Sequence, residues 1–167
     1  PEIETVYTAM PISHFLEAKD RKPIDYFIVA VNKYFVVFNP LSVEIIGAVN
    51  TEKKEALDEE NLTVCHHIAY RDLDWFIRRA DKIIVLWPER HPPENLNDEL
   101  KKLWPRTVSS PGANHETHAA FTKTKDVWVV CLHGAVSPFL THFSTRFFTS
   151  VEKFFDFLKQ TYPDRNH

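Results

Sequence analysis

The spacing of apolar residues changes repeatedly along the chain, and each change predicts an element. Ile3 to Ala9 reads as a first strand, with Tyr7 near its C-terminal end and Met10-Pro11 closing it. His14 to Pro23 is polar and reads as a loop or a short helix. Ile24, Phe27, Ile28, Val31 and Phe35 then recur at helical spacing, which predicts a helix over 24–35 with one buried face. Tyr34 to Phe38 reads as a second strand, closed by Asn39-Pro40, so its start overlaps the helix end. Thr51 to Asn61 is charged without an apolar face, a solvated segment and not a linker between domains.

The second half repeats the alternation. Ile68 to Ala80 has helical spacing, and Ile83 to Trp87 is a continuous apolar run bounded by Asp81-Lys82 and Pro88. Such a run fits a strand covered on both faces. Pro88 to Ser110 is a long, proline-rich stretch with a short helix expected around Asn95 to Leu103; loops of this length often act as lids. A turn and helix over 109–125, a strand at Val127 to Cys131 and a turn at His133-Gly134 follow. Arg146 to Phe148 is a weak strand candidate, and a capping box at Thr149 to Glu152 opens a last helix whose apolar side is Val151, Phe154, Phe155, Phe157 and Leu158. Strands alternating with helices predict an α/β chain: a flavodoxin-like or Rossmann-like three-layer domain, with a mainly parallel sheet of about five strands, spanning 1–167. In such sheets ligands gather at the C-terminal ends of the strands, which is the edge where Tyr7, Trp87 and the 109–116 turn are expected.

Composition narrows the chemistry. A net charge of −3 gives no general attraction to nucleic acid polymers or anionic lipid, although a local turn can still bind a small anion. The two cysteines, Cys65 and Cys131, are too few for a disulfide framework. No apolar run approaches the ~18 residues of a membrane span, and the first residues carry no signal-peptide pattern, so a cytoplasmic protein with no membrane association is expected. With only three glycines in the chain, Gly112 inside the central turn stands out.

That turn, Ser109-Ser110-Pro111-Gly112-Ala113-Asn114, feeds a helix and so exposes free backbone N–H groups at its positive end, where an anion can sit. With the helix opening at Ala113 or Asn114, Glu116 falls in its first turn, where the dipole favours the ionised carboxylate. An ionised carboxylate beside an anion-binding turn can attack a sugar carbon that is losing its leaving group. The plainer reading makes Glu116 only a partner of the dipole.

Several short motifs occur in order: Val6-Tyr7 followed by a small residue and Met10-Pro11, Arg71-Asp72-Leu73-Asp74-Trp75 ahead of Arg79-Ala80-Asp81, and Ser110-Pro111-Gly112 with Glu116 four residues after the glycine. Together they resemble the nucleoside 2-deoxyribosyltransferase superfamily, nearest to its nucleoside 5′-monophosphate N-glycosidase branch, over roughly residues 3 to 132. The resemblance implies that Glu116 is the nucleophile forming a glycosyl-enzyme ester, that Asp72 helps the base leave, and that Tyr7 holds nucleophile and sugar. It implies that Ala120 lets the active-site helix pack closely on the sheet, and that the site needs no cofactor and no metal. Ser109, Ser110, Gly112, Asn114, Trp87, Met10 and Pro11 are the residues expected to contact substrate. Ser110 favours the monophosphate branch: the transferases carry an aspartate at this point, whose charge would repel a phosphate that a serine hydroxyl can bind. Water is then the default acceptor, a second base the other.

Two departures matter. One extra residue stands between Asp72 and Asp81 relative to the family spacing, which opens the acid role to Asp74, and the 88–110 loop is longer than the family norm. Two further readings stay open: a glycohydrolase of NAD-type dinucleotides using the same glutamate, and a nucleotide-binding sensor without turnover. The partner expected is a small nucleotide or nucleoside, in a homodimer, as is common in the family, or a higher homo-oligomer.

The remaining signals are weaker. His115-Glu116-Thr117-His118 is not a zincin motif, because its histidines are three apart. Cys131 and His133 supply no activating base geometry for a nucleophilic thiol. Trp104 either closes over a bound base or anchors the loop, and Asp81 reads as a structural cap.

Overall fold

The computed structural model describes residues 3–11, 18–40, 66–105, 110–133 and 137–165. The solvated segment expected at 51–61, Ser109 and Cys65 lie outside the described residues. Five strands, β1 (Thr5–Ala9), β2 (Val36–Phe38), β3 (Lys82–Trp87), β4 (Asp126–Cys131) and β5 (Arg146–Phe148), form one wholly parallel sheet in the order β2-β1-β3-β4-β5. β3 is the centre: every one of its residues is buried, as its unbroken apolar run demands. β1 lies between β2 and β3, so the connection from β1 runs one way and that from β3 the other; the switch point, where such sheets have their crevice, is at the C-terminal ends of β1 and β3.

Period-two alternation sends neighbouring side chains to opposite faces. Val6, Ile84, Trp128 and Val130 face a layer made by α1 (Ala18–Val31) and α6 (Val151–Thr161). Tyr7, Ile83, Val85, Val127 and Val129 face the other layer. That layer holds α2, α4 (Pro111–Thr122) and α5 (Pro138–Phe143). α2 is a π-helical turn, Arg71–Phe76, running straight into the α-helical Ile77–Arg79. A short α3 (Asp98–Leu103) interrupts the long loop after β3, capped by Asn97, whose Oδ1 accepts from the Leu100 N–H at 2.9 Å. The three-layer α/β architecture is the one the alternating pattern predicts.

Element ends shift for identifiable reasons. α1 starts at Ala18, ahead of Ile24, because a proline six residues into a helix removes only one backbone bond while Ile24, Phe27, Ile28 and Val31 still form the buried face. Tyr34 and Phe35 are buried in the turn after α1, not in β2, where their rings pack against Phe155, Tyr162 and Trp128. α4 opens at Pro111, not at Ala113 or Asn114, because Ser110 caps it and proline suits the first helical position. It ends at Thr122, with Thr124 in a left-handed turn at φ 56°. The cap of α6 is Ser150, one residue later than the capping box predicts, its Oγ accepting from the Lys153 N–H at 3.2 Å. α6 is anchored by Phe154 and Leu158, both without solvent exposure, and each such buried side chain contributes about 1.5–3 kcal/mol.

The edge away from the crevice is tied by charge. Asp81 accepts from the Thr5 backbone N–H at 2.7 Å and from its hydroxyl at 2.8 Å, joining β1 to β3 as the structural cap it was expected to be. Lys82, buried beneath the Trp128 ring at 4.5 Å, donates to Glu4 at 2.7 Å and to the Tyr162 hydroxyl at 3.0 Å. A cleft of about 740 Å³ opens at this edge between the 32–36 turn and residues 161–165. Its Arg165 is taken up by Glu4 at 3.2 Å, so the charges there hold the chain end to the sheet.

Candidate active site

The crevice edge gathers side chains from three elements. Tyr7 is the middle residue of β1, with no solvent exposure, its ring stacked at 6.1 Å on Phe76, which in turn stacks on Phe38 at 5.6 Å. Its hydroxyl donates a 2.7 Å hydrogen bond to Oε1 of Glu116 on α4. Burial foremost, then the negative charges of Glu116 and Asp72, push the Tyr7 phenol well above its usual range. The phenol therefore stays protonated at neutral pH and acts as a donor to the carboxylate.

α4 can approach the sheet because its buried face is small. Ala113, Thr117 and Ala120 recur at helical spacing on β3 and β4, and the Thr117 hydroxyl is internally satisfied by the Ala113 carbonyl at 2.6 Å. Glu116, half-buried, is turned toward Tyr7 beside that face. Because α4 opens at Pro111, Glu116 lies in the second turn, and the first turn holds no acidic residue. The dipole effect fades beyond the first turn, so the helix end adds little to holding this carboxylate, and the Tyr7 hydrogen bond helps to fix it.

The anion turn is partly described. Ser110 is buried and its Oγ accepts from the Ala113 N–H at 3.3 Å; that bond uses the hydroxyl as an acceptor and leaves its O–H as a donor. Gly112, the second helical residue, is exposed, and a Cβ built on it meets no atom within 4 Å. Nothing among the described residues requires a glycine there. Asn114 is exposed on the same helix, and its backbone N–H bonds the Ser110 carbonyl at 3.1 Å.

The two candidate acids separate cleanly. Asp72 is buried at 7% exposure and its charge acts on Tyr7, whereas Asp74 is exposed to solvent. The π turn accounts for the extra residue before Asp81: the Ile77 N–H donates to the Asp72 carbonyl five residues back, a wider ring that takes up one residue without breaking the helix. Arg71, which sequence reasoning passed over, pairs with Asp72 through Nε to Oδ1 at 2.6 Å and a second guanidinium nitrogen to Oδ2 at 3.1 Å. Its only signal in the sequence is its place next to Asp72.

Other expected contacts are packed into the core or held within the 88–110 loop. Trp87 ends β3 at the crevice edge but is 6% exposed and packed in the core beneath α4, which leaves little ring face for stacking on a base. Met10 packs in the core on the α1 and α6 side of the sheet, opposite Tyr7, and Pro11 beside it is buried. Trp104 stacks under the Arg90 guanidinium at 4.5 Å, a contact within the 88–110 loop. Burial raises the Cys131 thiol, which donates to the His133 carbonyl at 3.3 Å, so it is not an activated nucleophile. His115 bonds the Pro111 carbonyl and His118 packs on Phe143; among the described residues no group of three His, Cys, Asp or Glu side chains is placed to hold a metal ion. No helix among them is long and apolar enough to cross a membrane.

No protein-family model matches the sequence, and no curated protein does. Solved structures do. A 2-deoxyribosyltransferase from the psychrotolerant bacterium Bacillus psychrosaccharolyticus is similar with a TM-score of 0.59 at 18% identity, over 92% of this chain and 95% of its own. A conserved protein from Enterococcus faecalis V583 is similar with a TM-score of 0.58 at 13% identity, over 96% of this chain and 99% of its own. The Clostridium botulinum CMP N-glycosidase BcmB gives a TM-score of 0.45 at 14% identity, over 94% and 99%, and adds nothing to the fold assignment. Along nearly its whole length, the chain has the fold of a 2-deoxyribosyltransferase.

Proposed function

We propose that this protein cleaves the N-glycosidic bond of a nucleoside 5′-monophosphate or nucleoside through a covalent glycosyl-glutamate intermediate. The observation that carries the reading is the 2.7 Å bond joining Tyr7 to Glu116 at the crevice of the sheet, with Asp72 in the same charge cluster. The fold shared with a 2-deoxyribosyltransferase supports it. In this reading a Glu116 carboxylate oxygen attacks the anomeric carbon as the bond from that carbon to the base nitrogen breaks, and the electron pair leaves with the base. Asp72 in its acid form gives its proton to the departing nitrogen and takes one back from the acceptor that attacks in the second step; its burial beside Tyr7 supports it over exposed Asp74. Water, or a second base, then attacks the same carbon, breaks the ester and returns Glu116 as a carboxylate. Tyr7 keeps Glu116 aligned for both steps.

The O–H of Ser110 and the open backbone at Gly112 support a 5′-phosphate at the start of α4, where helix N–H groups point outward. The test is a panel of nucleosides, their 5′-monophosphates and NAD, with released base measured by chromatography. Base released from monophosphates ahead of nucleosides is expected. Release from NAD alone would move the reading to a dinucleotide glycohydrolase, and binding without release to a sensor.

A further inference from the structure

The stretch between β3 and α4 carries two donors with no acceptor among the described residues. Arg90 comes shortly after β3 ends at Trp87 and stands between Pro88 and Pro92. Trp104 closes α3, its backbone N–H on the Lys101 carbonyl at 3.3 Å, and Pro105 follows it. Proline fixes φ, so both residues stand on backbone with little freedom. The Arg90 guanidinium lies over the Trp104 ring at 4.5 Å and joins these two points of the loop.

Stacking takes up the flat face of a guanidinium and leaves the N–H groups along its edge. Arg90 is half-buried, yet it makes no hydrogen bond and no ion pair among the described residues. The indole Nε1–H of Trp104 is buried and has no acceptor either. Buried donors in folded proteins are nearly all paired, so an unpaired one calls for a reason. Anchoring the loop would account for the stack, but a phenylalanine ring does that without burying a donor. Both groups donate and neither accepts, so an acceptor completes them, and the charge of Arg90 selects an anion.

We propose that Arg90 and Trp104 form an oxyanion subsite on this loop, and that its ligand is a phosphate group. The spread oxygens of a phosphate let one meet the guanidinium edge while another takes the indole N–H. That N–H is covered, so the ring shifts to admit the oxygen. The loop leaves the sheet at the C-terminal end of β3, the edge where substrate is expected, which makes a nucleotide the source of the phosphate. Only that source rests on the reading of Glu116 as nucleophile.

The test is a phosphate titration of the unliganded protein at constant ionic strength, read from the NMR signals of the indole N–H groups of the four tryptophans. Trp104→Phe keeps a ring under the guanidinium and removes the N–H, so the signal it loses belongs to Trp104. Phosphate should move that signal downfield along a saturating curve. Arg90→Gln, which removes the charge, should need at least ~10-fold more phosphate to reach half the shift. A Trp104 signal that phosphate leaves in place, or an Arg90→Gln midpoint equal to wild type, would overturn the subsite. Should Arg90→Gln not fold, Arg90→Lys decides by the same comparison, with at least ~3-fold more phosphate expected because the planar fork is gone. Nucleoside 5′-monophosphates should move the same signal and their parent nucleosides should not; an equal response to nucleosides would overturn phosphate as the ligand. Cleavage of a monophosphate that leaves the signal unmoved would overturn the subsite while the Glu116 reading stands. Movement without base release would uphold the subsite and tell against cleavage.

Discussion

Tyr7 and Glu116, 109 positions apart, meet through a 2.7 Å hydrogen bond in which a fully buried phenol donates to a half-buried carboxylate. The bond fixes one carboxylate oxygen and leaves the geometry of the other to follow. Tyr7→Phe removes only the donor. It should lower kcat for base release by at least ~10-fold, since alignment is lost, and cost about 1.5–3 kcal/mol in denaturant unfolding, as expected for a bond to a charged group. An unchanged kcat would mean that the bond is structural only.

Ser110 offers a separation of cap from ligand. Aspartate is as good an N-cap as serine, so Ser110→Asp should leave the unfolding midpoint within about 0.5 kcal/mol of wild type. Its charge should weaken nucleoside 5′-monophosphate binding far more than nucleoside binding in calorimetric titration. Equal losses for both ligands would remove the case for a phosphate at this turn.

Gly112→Ala probes the same turn from the opposite direction. The new methyl group meets no atom of the described residues, and alanine is the better helix former, so stability should hold or rise by up to ~1 kcal/mol. A ligand that approaches the backbone there should bind more weakly, seen as a raised KM with kcat little changed. Unaltered KM for every substrate would place the ligand elsewhere.

The opposite edge of the sheet predicts a pH dependence independent of catalysis. Burial alone would raise Glu4, but hydrogen bonds from Lys82 and Tyr162 outweigh it and hold the carboxyl below its ordinary value of 4.5. Burial alone would lower Lys82, and its bonds to Glu4 and Tyr162 outweigh that and hold it above 10.5. A lowered acid contributes stability that is full above its unfolded value and lost as pH falls through the folded one; a raised base contributes stability that is full below its unfolded value and lost as pH rises. Thermal unfolding should therefore weaken below about pH 4.5 and again above about pH 10.5, and Glu4→Gln should flatten the acid side. An acid side as steep in Glu4→Gln as in wild type would contradict the assignment.

The sheet was legible because strands buried on both faces carry unbroken apolar runs, as Ile83 to Trp87 does, and the helices between them carry one apolar side. The helix starting at Ala18 was masked by Pro23, since a proline near a helix start signals a break that the backbone there tolerates. α5 over 138–143 was missed because one buried residue, Leu140, leaves no periodicity to read. The meeting of Tyr7 with Glu116 was legible because short motifs fixed the spacing around each of them. The site was not legible at Asp72 against Asp74, because a π turn breaks the helical count that would decide which of them faces inward. Met10 was read from its place in a motif and Trp87 from its place at a strand end, and neither says how far a residue is packed into the core.

The central claim is a covalent bond to Glu116. A nucleotide analogue bearing fluorine at the sugar 2-position slows both steps, the second enough for the ester to accumulate, and peptide mass spectrometry then locates it. The mass of the fluorosugar phosphate should appear on the peptide carrying Glu116, and Glu116→Gln should fold, bind nucleotide, carry no adduct and release base at least ~100-fold more slowly. An adduct on Asp72 or Asp74, or undiminished base release by Glu116→Gln, would contradict the account.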